Sequence, residues 1–394
     1  MLIHPLRDVA LEDRRVFLRA DLDVPLEKGR ILDAAKLEAL LPTVRHCLAR
    51  KARVVLAGSL GNPRSGPEPK LSLEPVGAWL AERLDAEILL TDEPVGDGAR
   101  RVVQDAREGQ VVLLENLAFH PGERQGEEAF ARSLAEGMDL YVNEAFGVCQ
   151  RRDASVVVLP TLVQERAAGL SLLTELEIVK RLRGQVERPF VLLLGGQRVS
   201  EKLPVMESLL GRVDTILIGG ALAYTFLQAQ GHETGTAPVE SAQLVAAGEL
   251  LRNAALRGVE LLLSVDHRLL PKGGVERSPT TSAAVEGIPR EYRAVDIGPR
   301  TAELFAARVA TARTLVWHGL LGQGNLEDGL GGTRTVAGSL ARRRPLTVIA
   351  GGETTAFVRR EGLTNAVSHL STGGQALLEA ASGRTLPGIA ALES

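Results

Sequence analysis

Short apolar runs alternate with longer amphipathic segments along this chain, and no other sequence feature constrains the fold as strongly. Most runs are rich in Val, Ile and Leu without strict polar alternation, as in parallel strands covered on both faces. Helix-like stretches such as Leu73–Leu84, Glu127–Glu136 and Ala242–Arg257 lie between the runs. The pattern predicts an α/β protein with doubly wound parallel sheets. The candidate strands are Val16–Leu18, Val54–Ala57, Val111–Leu114, Leu140–Val142, Phe190–Leu194, Thr215–Ile218, Leu261–Val265, Leu315–Trp317 and Leu346–Ile349.

The length of the chain predicts more than one domain. At about 150 residues per domain, 394 residues correspond to two or three domains. Leu and Val recur at helical spacing between Leu172 and Leu182, with charged residues between them. This spacing predicts a connecting helix, within a boundary segment 172–187, that ends at Gly184. The segment separates an N-terminal domain, 1–171, from a C-terminal domain that begins at residue 188.

Composition excludes several classes of protein. Hydrophobic residues make up 45% and charged residues 24%, which is usual for a globular chain and not for a disordered or fibrous one. A net charge of -3 and an aromatic content of 3% disfavour a nucleic-acid partner. Cys47 and Cys149 form no metal or disulfide pattern, which indicates reduced thiols and a cytoplasmic location. No run of 18 apolar residues occurs, so we expect no membrane partner.

Several candidate strands in the second half end in glycine. Ligands of open α/β sheets bind beyond the carboxyl ends of the strands, where glycine lets backbone N–H groups approach a phosphate. One such turn would be a weak signal, because tight βα turns use glycine in any α/β fold. The whole set predicts a phosphate-bearing ligand, although the P-loop and dinucleotide fingerprints are absent. The glycines are Gly195, Gly196, Gly219, Gly220, Gly319, Gly322, Gly351, Gly352 and, in a further turn, Gly373 and Gly374.

Two cations follow the first glycine turn. Arg198 and Lys202 are four residues apart and share one helix face if Val199–Leu203 is helical. At a helix start they would face a bound phosphate. A solvated basic face is the other interpretation, and the spacing alone leaves both open.

The motifs together resemble one family. They are LRADLDVPLEKG, LLENLAFHPGE, NEAFG, LLLGGQRVSEKL, ILIGGALAYTF, VDIGP, LVWHG, SHLSTGG and LPGIAAL. Their order resembles that of phosphoglycerate kinase from about Arg14 to Leu392. The resemblance implies two Rossmann-like domains joined by a hinge helix, and a monomeric glycolytic enzyme. It places 3-phosphoglycerate in the N-terminal domain and magnesium-bound ATP or ADP in a C-terminal domain, 188–378, with a tail, 379–394, that packs back on the N-terminal domain.

The residues that the resemblance assigns to the substrate depart from the family pattern. Arg19, Asp21 and Arg151 match, whereas Asp23 stands for the family's asparagine. Lys36 aligns with an arginine that contacts the transferring phosphoryl group. Altered residues further along are Ser59, Asn62, Ala118, Gln150 and Asp153.

These replacements change the charge of the predicted substrate pocket. Asn→Asp23, Arg→Asn62, Arg→Ala118 and His→Asp153 each lower the charge by one unit, counting histidine as neutral, so the pocket becomes about four charges more negative. Each lost charge-assisted contact with an anionic substrate costs roughly 1.5–3 kcal/mol. We therefore expect weakened binding of 3-phosphoglycerate.

The nucleotide side is better kept. Arg198 stands for the family's first lysine, and Gln375 replaces the third glycine of the S-T-G-G-G turn. Glu353 replaces a magnesium-associated aspartate, and a carboxylate there can still bind a hard cation. The catalytic residues implied are Lys36, Arg198, Lys202, Gly373 and Gly374. The nucleotide-binding residues implied are Gly195, Gly196, Gly219, Gly220, Asn325, Gly351, Gly352, Glu353 and Thr354.

Three functional hypotheses remain open. The first is a working kinase that transfers phosphoryl groups between ATP and the carboxylate of 3-phosphoglycerate. The second is a nucleotide-binding, catalytically deficient regulatory paralogue. The third is a kinase for a less anionic carboxylate, which the added Asp23 and Asp153 would suit.

Overall fold

A computed structural model describes residues 3–64, 66–273, 281–284, 287–326, 329–340 and 346–393. The chain divides into two compact units. The N-terminal unit comprises residues 1–180, 375–380 and 384–394, and the C-terminal unit comprises residues 181–374 and 381–383. Within the described residues, every helix is too short or too polar to cross a bilayer.

The N-terminal unit is built around a six-stranded parallel sheet in the order β5-β6-β4-β1-β7-β8. Its strands, with a small hairpin formed by the second and third, are β1 (Arg15–Arg19), β2 (Leu26–Glu27), β3 (Arg30–Ile31), β4 (Arg53–Ala57), β5 (Glu87–Leu90), β6 (Gln110–Leu113), β7 (Leu140–Asn143) and β8 (Glu165–Ala168). The helices are α1 (Ala35–Leu48), α2 (Glu74–Ala81), α3 (Asp97–Asp105), α4 (Pro121–Gln125), α5 (Glu128–Ala135), α6 (Leu159–Leu162) and α7 (Leu170–Arg183), the last of which runs on into the C-terminal unit.

The C-terminal unit carries a second six-stranded parallel sheet, in the order β11-β10-β9-β15-β16-β17, and a three-stranded antiparallel sheet. The strands are β9 (Phe190–Leu194), β10 (Thr215–Ile218), β11 (Glu260–Leu263), β12 (Asp266–Pro271), β13 (Thr281–Ala284), β14 (Tyr292–Ile297), β15 (Thr314–His318), β16 (Leu346–Ala350) and β17 (His369–Leu370). The helices are α8 (Val199–Leu209), α9 (Leu222–Ala229), α10 (Leu244–Leu256), α11 (Pro299–Thr311), α12 (Gly331–Gly338) and α13 (Gly352–Arg360).

The C-terminal segment returns to the N-terminal unit. Its helices are α14 (Gln375–Ala381) and α15 (Pro387–Ala390). A Cβ added to Gly388 would meet Val156 and Cys149, and the Arg166 guanidinium donates a 2.8 Å hydrogen bond to the Glu393 carbonyl. These contacts hold the segment against the N-terminal unit.

The α/β prediction with doubly wound parallel sheets is confirmed, and each candidate strand lies in one of the two large sheets. The central strands are fully buried, as their continuous apolar sequences predict: β9 and β16 expose no residue. The connecting helix is α7, which begins at Leu170 and ends at Arg183, so that Gly184 turns the chain out of the helix where the helical spacing predicts its end. The boundary segment 172–187 stays a prediction.

In each parallel sheet the order in which the strands are added reverses beside the first strand. In the N-terminal unit β1 lies between β4 and β7, and in the C-terminal unit β9 lies between β10 and β15. The carboxyl ends at such switch points form the ligand-binding crevice of doubly wound sheets. The two candidate half-sites are therefore found at the ends of these strands.

Candidate active site

The first half-site follows the carboxyl end of β1, where a carboxylate already balances the charge of a lysine. The Lys36 ammonium lies 3.0 Å from the Asp21 carboxylate. Burial would lower the pKa of Lys36, but the carboxylates of Asp21, Asp23 and Asp33 outweigh it and raise that pKa. Lys36 stays charged, and its charge is balanced within the protein.

Arg19, the last residue of β1, is almost fully buried. Its Nε donates a 2.7 Å hydrogen bond to Ser155, its Nη1 donates to the Ala20 carbonyl, and its Nη2 lies 3.7 Å from the Glu123 carboxylate. Burial raises the pKa of Glu123, against the opposing effect of Arg19. Arg19 thus anchors the floor of this half-site, and its binding to a substrate remains a prediction.

A second ion pair lies on the segment after β7. The Arg151 guanidinium lies 2.8 Å from the carboxylate of Asp153, and Asp153 is buried. Asp153 occupies the position where the sequence resemblance expects a histidine. The cation that matches the family pattern is therefore also balanced by a neighbouring carboxylate.

The loop after β4 meets the other added carboxylate. The Gly61 N–H donates a 2.9 Å hydrogen bond to Asp23, so a backbone donor is occupied by a protein anion. Arg124 donates to the side chain of Asn62 and, at 3.2 Å, to the Gly61 carbonyl. Ala118 is buried, and its methyl side chain cannot donate a hydrogen bond to a ligand.

The second half-site lies where β9, β10 and β15 end in glycine. The Gly195 N–H donates to the His318 carbonyl and the Gly196 N–H to the Leu320 carbonyl. The turns are so close that a Cβ on Gly195 would lie 2.2 Å from the Leu320 oxygen, and one on Gly319 2.4 Å from the Gly195 carbonyl carbon. Backbone groups of neighbouring turns thus meet at the switch point, as the glycine pattern predicts.

Lys202 reaches back from α8 into these turns. Its ammonium donates to the carbonyl oxygens of Gly195, at 2.5 Å, and Gln197, at 3.1 Å. Burial lowers the pKa of Lys202 to about 8, although Glu201 and Glu240 favour its charged form. Burial, together with Lys202, lowers the pKa of His318 to about 3, so this histidine is neutral.

Arg198 does not share a helix face with Lys202, because α8 begins only at Val199 and Arg198 has a left-handed φ of 62°. Its guanidinium is exposed and pairs with Glu201 at 2.6 Å. The first N–H groups of α8, from Val199 and Ser200, donate to the Glu240 carboxylate. A protein carboxylate thus holds the helix start at which sequence reasoning expected a phosphate.

The remaining predicted catalytic and nucleotide-binding residues lie on three turns, at the start of α13 and on one loop. The Gly319 N–H donates a 3.0 Å hydrogen bond to Thr354 in α13, next to Gly351 and Gly352. A Cβ on Gly374 would lie 3.9 Å from the Gly351 Cα, so the 371–374 turn adjoins the start of α13. The Gly373 N–H is bound by Ser371. Gly219 and Gly220 follow β10, and Asn325 is exposed in the loop after β15.

Glu353 is exposed in the first turn of α13. Within the described ranges no group of three or more His, Cys, Asp or Glu side chains could hold a metal ion. A single carboxylate nevertheless fits magnesium that arrives with a nucleotide, because that ion takes one or two carboxylates and completes its shell with phosphates and water.

Comparison with known proteins identifies the family. The family model of phosphoglycerate kinase matches residues 6–384. The chain belongs to the phosphoglycerate kinase family. A phosphoglycerate kinase of Anaeromyxobacter dehalogenans is 42% identical over 100% of both chains, and one of Pelotomaculum thermopropionicum is 40% identical over 98% of both.

Solved structures of phosphoglycerate kinases share this fold along the whole chain. The enzyme of Coxiella burnetii has a TM-score of 0.81 at 31% identity and covers 99% of each chain. The enzyme of Pyrococcus horikoshii has a TM-score of 0.83 at 28% identity, over 99% of this chain and 98% of the other. The resemblance seen in the motifs is therefore confirmed at the level of the family and its fold.

Sequence reasoning missed several residues that shape the two half-sites. Glu123 and Ser155 hold Arg19 although they lie 32 residues apart in sequence, and Glu240 lies 41 residues from the helix start that it caps. No local spacing signals such partners. His318 ends the strand part of the matched motif LVWHG, but only the structure shows its interaction with Lys202.

Proposed function

We propose that this chain is an ATP-dependent phosphotransferase with a carboxylate acceptor. We also propose that it binds 3-phosphoglycerate, the acceptor that the family implies, more weakly than a site with the family's usual residues would. The meeting of glycine turns around Lys202 at the switch point of the C-terminal sheet carries the proposal. Phosphoryl transfer depends on positioning and charge neutralisation, for which such turns provide backbone donors and a cation.

The residues of the C-terminal unit have separable roles in this proposal. Lys202 would exchange its bonds to the Gly195 and Gln197 carbonyls for bonds to phosphate oxygens. The Gly351, Gly352 and 371–374 turns would supply backbone contacts. Glu353 would hold magnesium, which when bound with the nucleotide neutralises charge on its phosphates. A monomeric state and a cytoplasmic location remain predictions.

A second candidate function is nucleotide binding with little turnover. The observation that favours it is the pairing of Lys36 with Asp21 and of Arg151 with Asp153, which leaves these cations already neutralised. A protein of this kind would bind magnesium-ADP but would not pass a phosphoryl group to an acceptor.

Titration calorimetry with magnesium-ADP, followed by a coupled kinase assay with ATP and 3-phosphoglycerate, tests both candidates. Turnover of about 1–100 per second supports the kinase. Nucleotide binding without turnover on any carboxylate supports the second candidate. Failure to bind magnesium-ADP contradicts both. Lys202→Met serves as the control, because it removes the buried cation and should weaken nucleotide binding.

A further inference from the structure

The acceptor half-site of the N-terminal unit has no excess of positive charge. The cations described above are Arg19, Lys36, Arg124 and Arg151, and the carboxylates are Asp21, Asp23, Asp33, Glu123 and Asp153. By formal charge the carboxylates exceed the cations by one. An acceptor that carries both a carboxylate and a phosphate would add several negative charges to a partly buried site with no positive excess, where the repulsion between like charges is poorly screened.

Two of the positive groups and one backbone donor are also committed geometrically. Lys36 and Arg151 each lie within 3.0 Å of a carboxylate oxygen, and the backbone N–H of Gly61 donates to Asp23. A phosphate oxygen only accepts hydrogen bonds. To bind to these three groups it would have to displace a carboxylate from each, and the displaced carboxylates would remain close by.

Several buried polar atoms of the same half-site have no hydrogen-bond partner among the described residues. Two of them can accept a hydrogen bond, Oδ2 of Asp21 and Oγ of Ser59, on side chains that are each nine-tenths buried. Another, Nη2 of Arg19, is a donor that the carboxylate of an acceptor would satisfy. Asp21 uses its other oxygen for Lys36 and for the N–H of Asp23. A ligand group that donates would satisfy a carboxylate oxygen that lacks a donor. Ser59 can accept from the same kind of group.

We propose that the acceptor of this site is a carboxylic acid that carries a hydroxyl or protonated amino group in place of a phosphate. The inference rests on the proposed phosphotransferase function and names its substrate class. In the reaction, a carboxylate oxygen of the acceptor attacks the γ-phosphorus of ATP. The bond from that phosphorus to the bridging oxygen breaks, ADP leaves with the electron pair, and an acyl phosphate forms.

The test compares three acceptors with the same three-carbon skeleton on the full chain saturated with magnesium-ADP. Titration calorimetry at low ionic strength measures the affinities for 3-phosphoglycerate, glycerate and serine. We expect glycerate or serine to bind at least about tenfold more tightly than 3-phosphoglycerate. Equal or tighter binding of 3-phosphoglycerate overturns the inference, and so does failure of both other acids to bind.

Two variants check that charge pairing causes the preference. Asp153→Asn frees Arg151, and Asp23→Asn restores the family's asparagine. Each variant should therefore reduce the preference for glycerate or serine over 3-phosphoglycerate by about tenfold. Glu108→Gln changes the charge equally at an exposed position and should leave the preference unchanged. The charge argument would be contradicted if the affinity for 3-phosphoglycerate relative to the other acids were the same in wild type and in all three variants. Circular dichroism confirms that each variant is folded.

A chemical readout separates this inference from the proposed function. Hydroxylamine traps an acyl phosphate as a hydroxamate, whichever carboxylate was phosphorylated. Hydroxamate formed from glycerate or serine with ATP supports both proposals. Hydroxamate formed only from 3-phosphoglycerate overturns the inference and leaves the phosphotransferase intact. Absence of hydroxamate with every acid contradicts the phosphotransferase itself.

Discussion

Lys202 is the residue whose ionisation most directly controls the nucleotide half-site. Its ammonium is buried against the carbonyls of Gly195 and Gln197, and burial lowers its pKa to about 8. The charged form that attracts a phosphate is therefore present at pH 7 and lost as the pH rises through 8.

We predict that the affinity for magnesium-ADP falls about tenfold between pH 7 and pH 9, because the protonated fraction of Lys202 falls by about that factor. Titration calorimetry at a series of pH values measures the change. Lys202→Met is the control: its affinity should be low and nearly constant, so that any dependence from the nucleotide itself can be subtracted. A wild-type affinity that follows the same flat profile would show that Lys202 does not bind the phosphates.

At the scale of the elements, the strand-end turns of the C-terminal sheet depend on glycine at some positions and not at others. A Cβ on Gly195 would overlap the Leu320 oxygen, whereas a Cβ on Gly352, at the start of α13, would meet nothing within 4 Å. The two glycines therefore form a matched pair for substitution.

We predict that Gly195→Ala lowers the free energy of unfolding by about 1–3 kcal/mol, since the turn from β15 must shift to admit the methyl group. Gly352→Ala should change it by less than about 0.5 kcal/mol. Urea denaturation of both variants measures the difference. If both substitutions were neutral, the close packing of the β9 and β15 turns would be contradicted.

The start of α7 is held by a buried carboxylate. Glu144 accepts hydrogen bonds from Thr43 Oγ1 at 2.5 Å and from the N–H groups of Ser171 and Leu172 at 2.9 and 3.2 Å. Burial raises the pKa of Glu144 from 4.5 to about 7, although these hydrogen bonds oppose the rise. Between these two pH values the folded protein keeps a proton that the unfolded chain has lost.

The stability that this proton provides is fully present below pH 4.5 and is lost as the pH rises through 7. The free energy of unfolding of the wild type should decrease between pH 5 and pH 8, and we predict that Glu144→Gln makes this decrease smaller by about 1–3 kcal/mol. Glu177→Gln, an exposed position on the same helix, should keep the wild-type slope. Chemical denaturation at several pH values checks the prediction, and identical slopes in wild type and Glu144→Gln would contradict it.

The elements that the sequence predicted and those it missed differ in their burial. Central strands such as β9 and β16 are covered on both faces and appear as uninterrupted apolar runs. The strands β5 and β8 lie at sheet edges and are partly exposed, so their sequences, EILL and ERAA, lack that signal. The antiparallel strands β12 and β14 begin with polar residues, so they are not uninterrupted apolar runs and were not predicted as strands.

At the scale of the whole molecule, the sequence predicted which residues would meet at each switch point better than it predicted their pairing. Glycine at successive strand ends indicates convergence because parallel strands end on the same edge. The pairing of Lys36 with Asp21 joins α1 to the loop after β1, and no spacing rule connects them. The sequence shows the loss of positive charge, whereas only the structure shows that Lys36 and Arg151 are paired with carboxylates.

The central claim is that charge balance in the N-terminal unit limits the binding of 3-phosphoglycerate. The most direct test measures this affinity by calorimetry in wild type and in the combined variant Lys36→Arg, Asn62→Arg, Ala118→Arg and Asp153→His. At low ionic strength we predict that the combined variant binds at least about a hundredfold more tightly, and that added salt reduces the gain. A folded combined variant with no gain in affinity would contradict the claim.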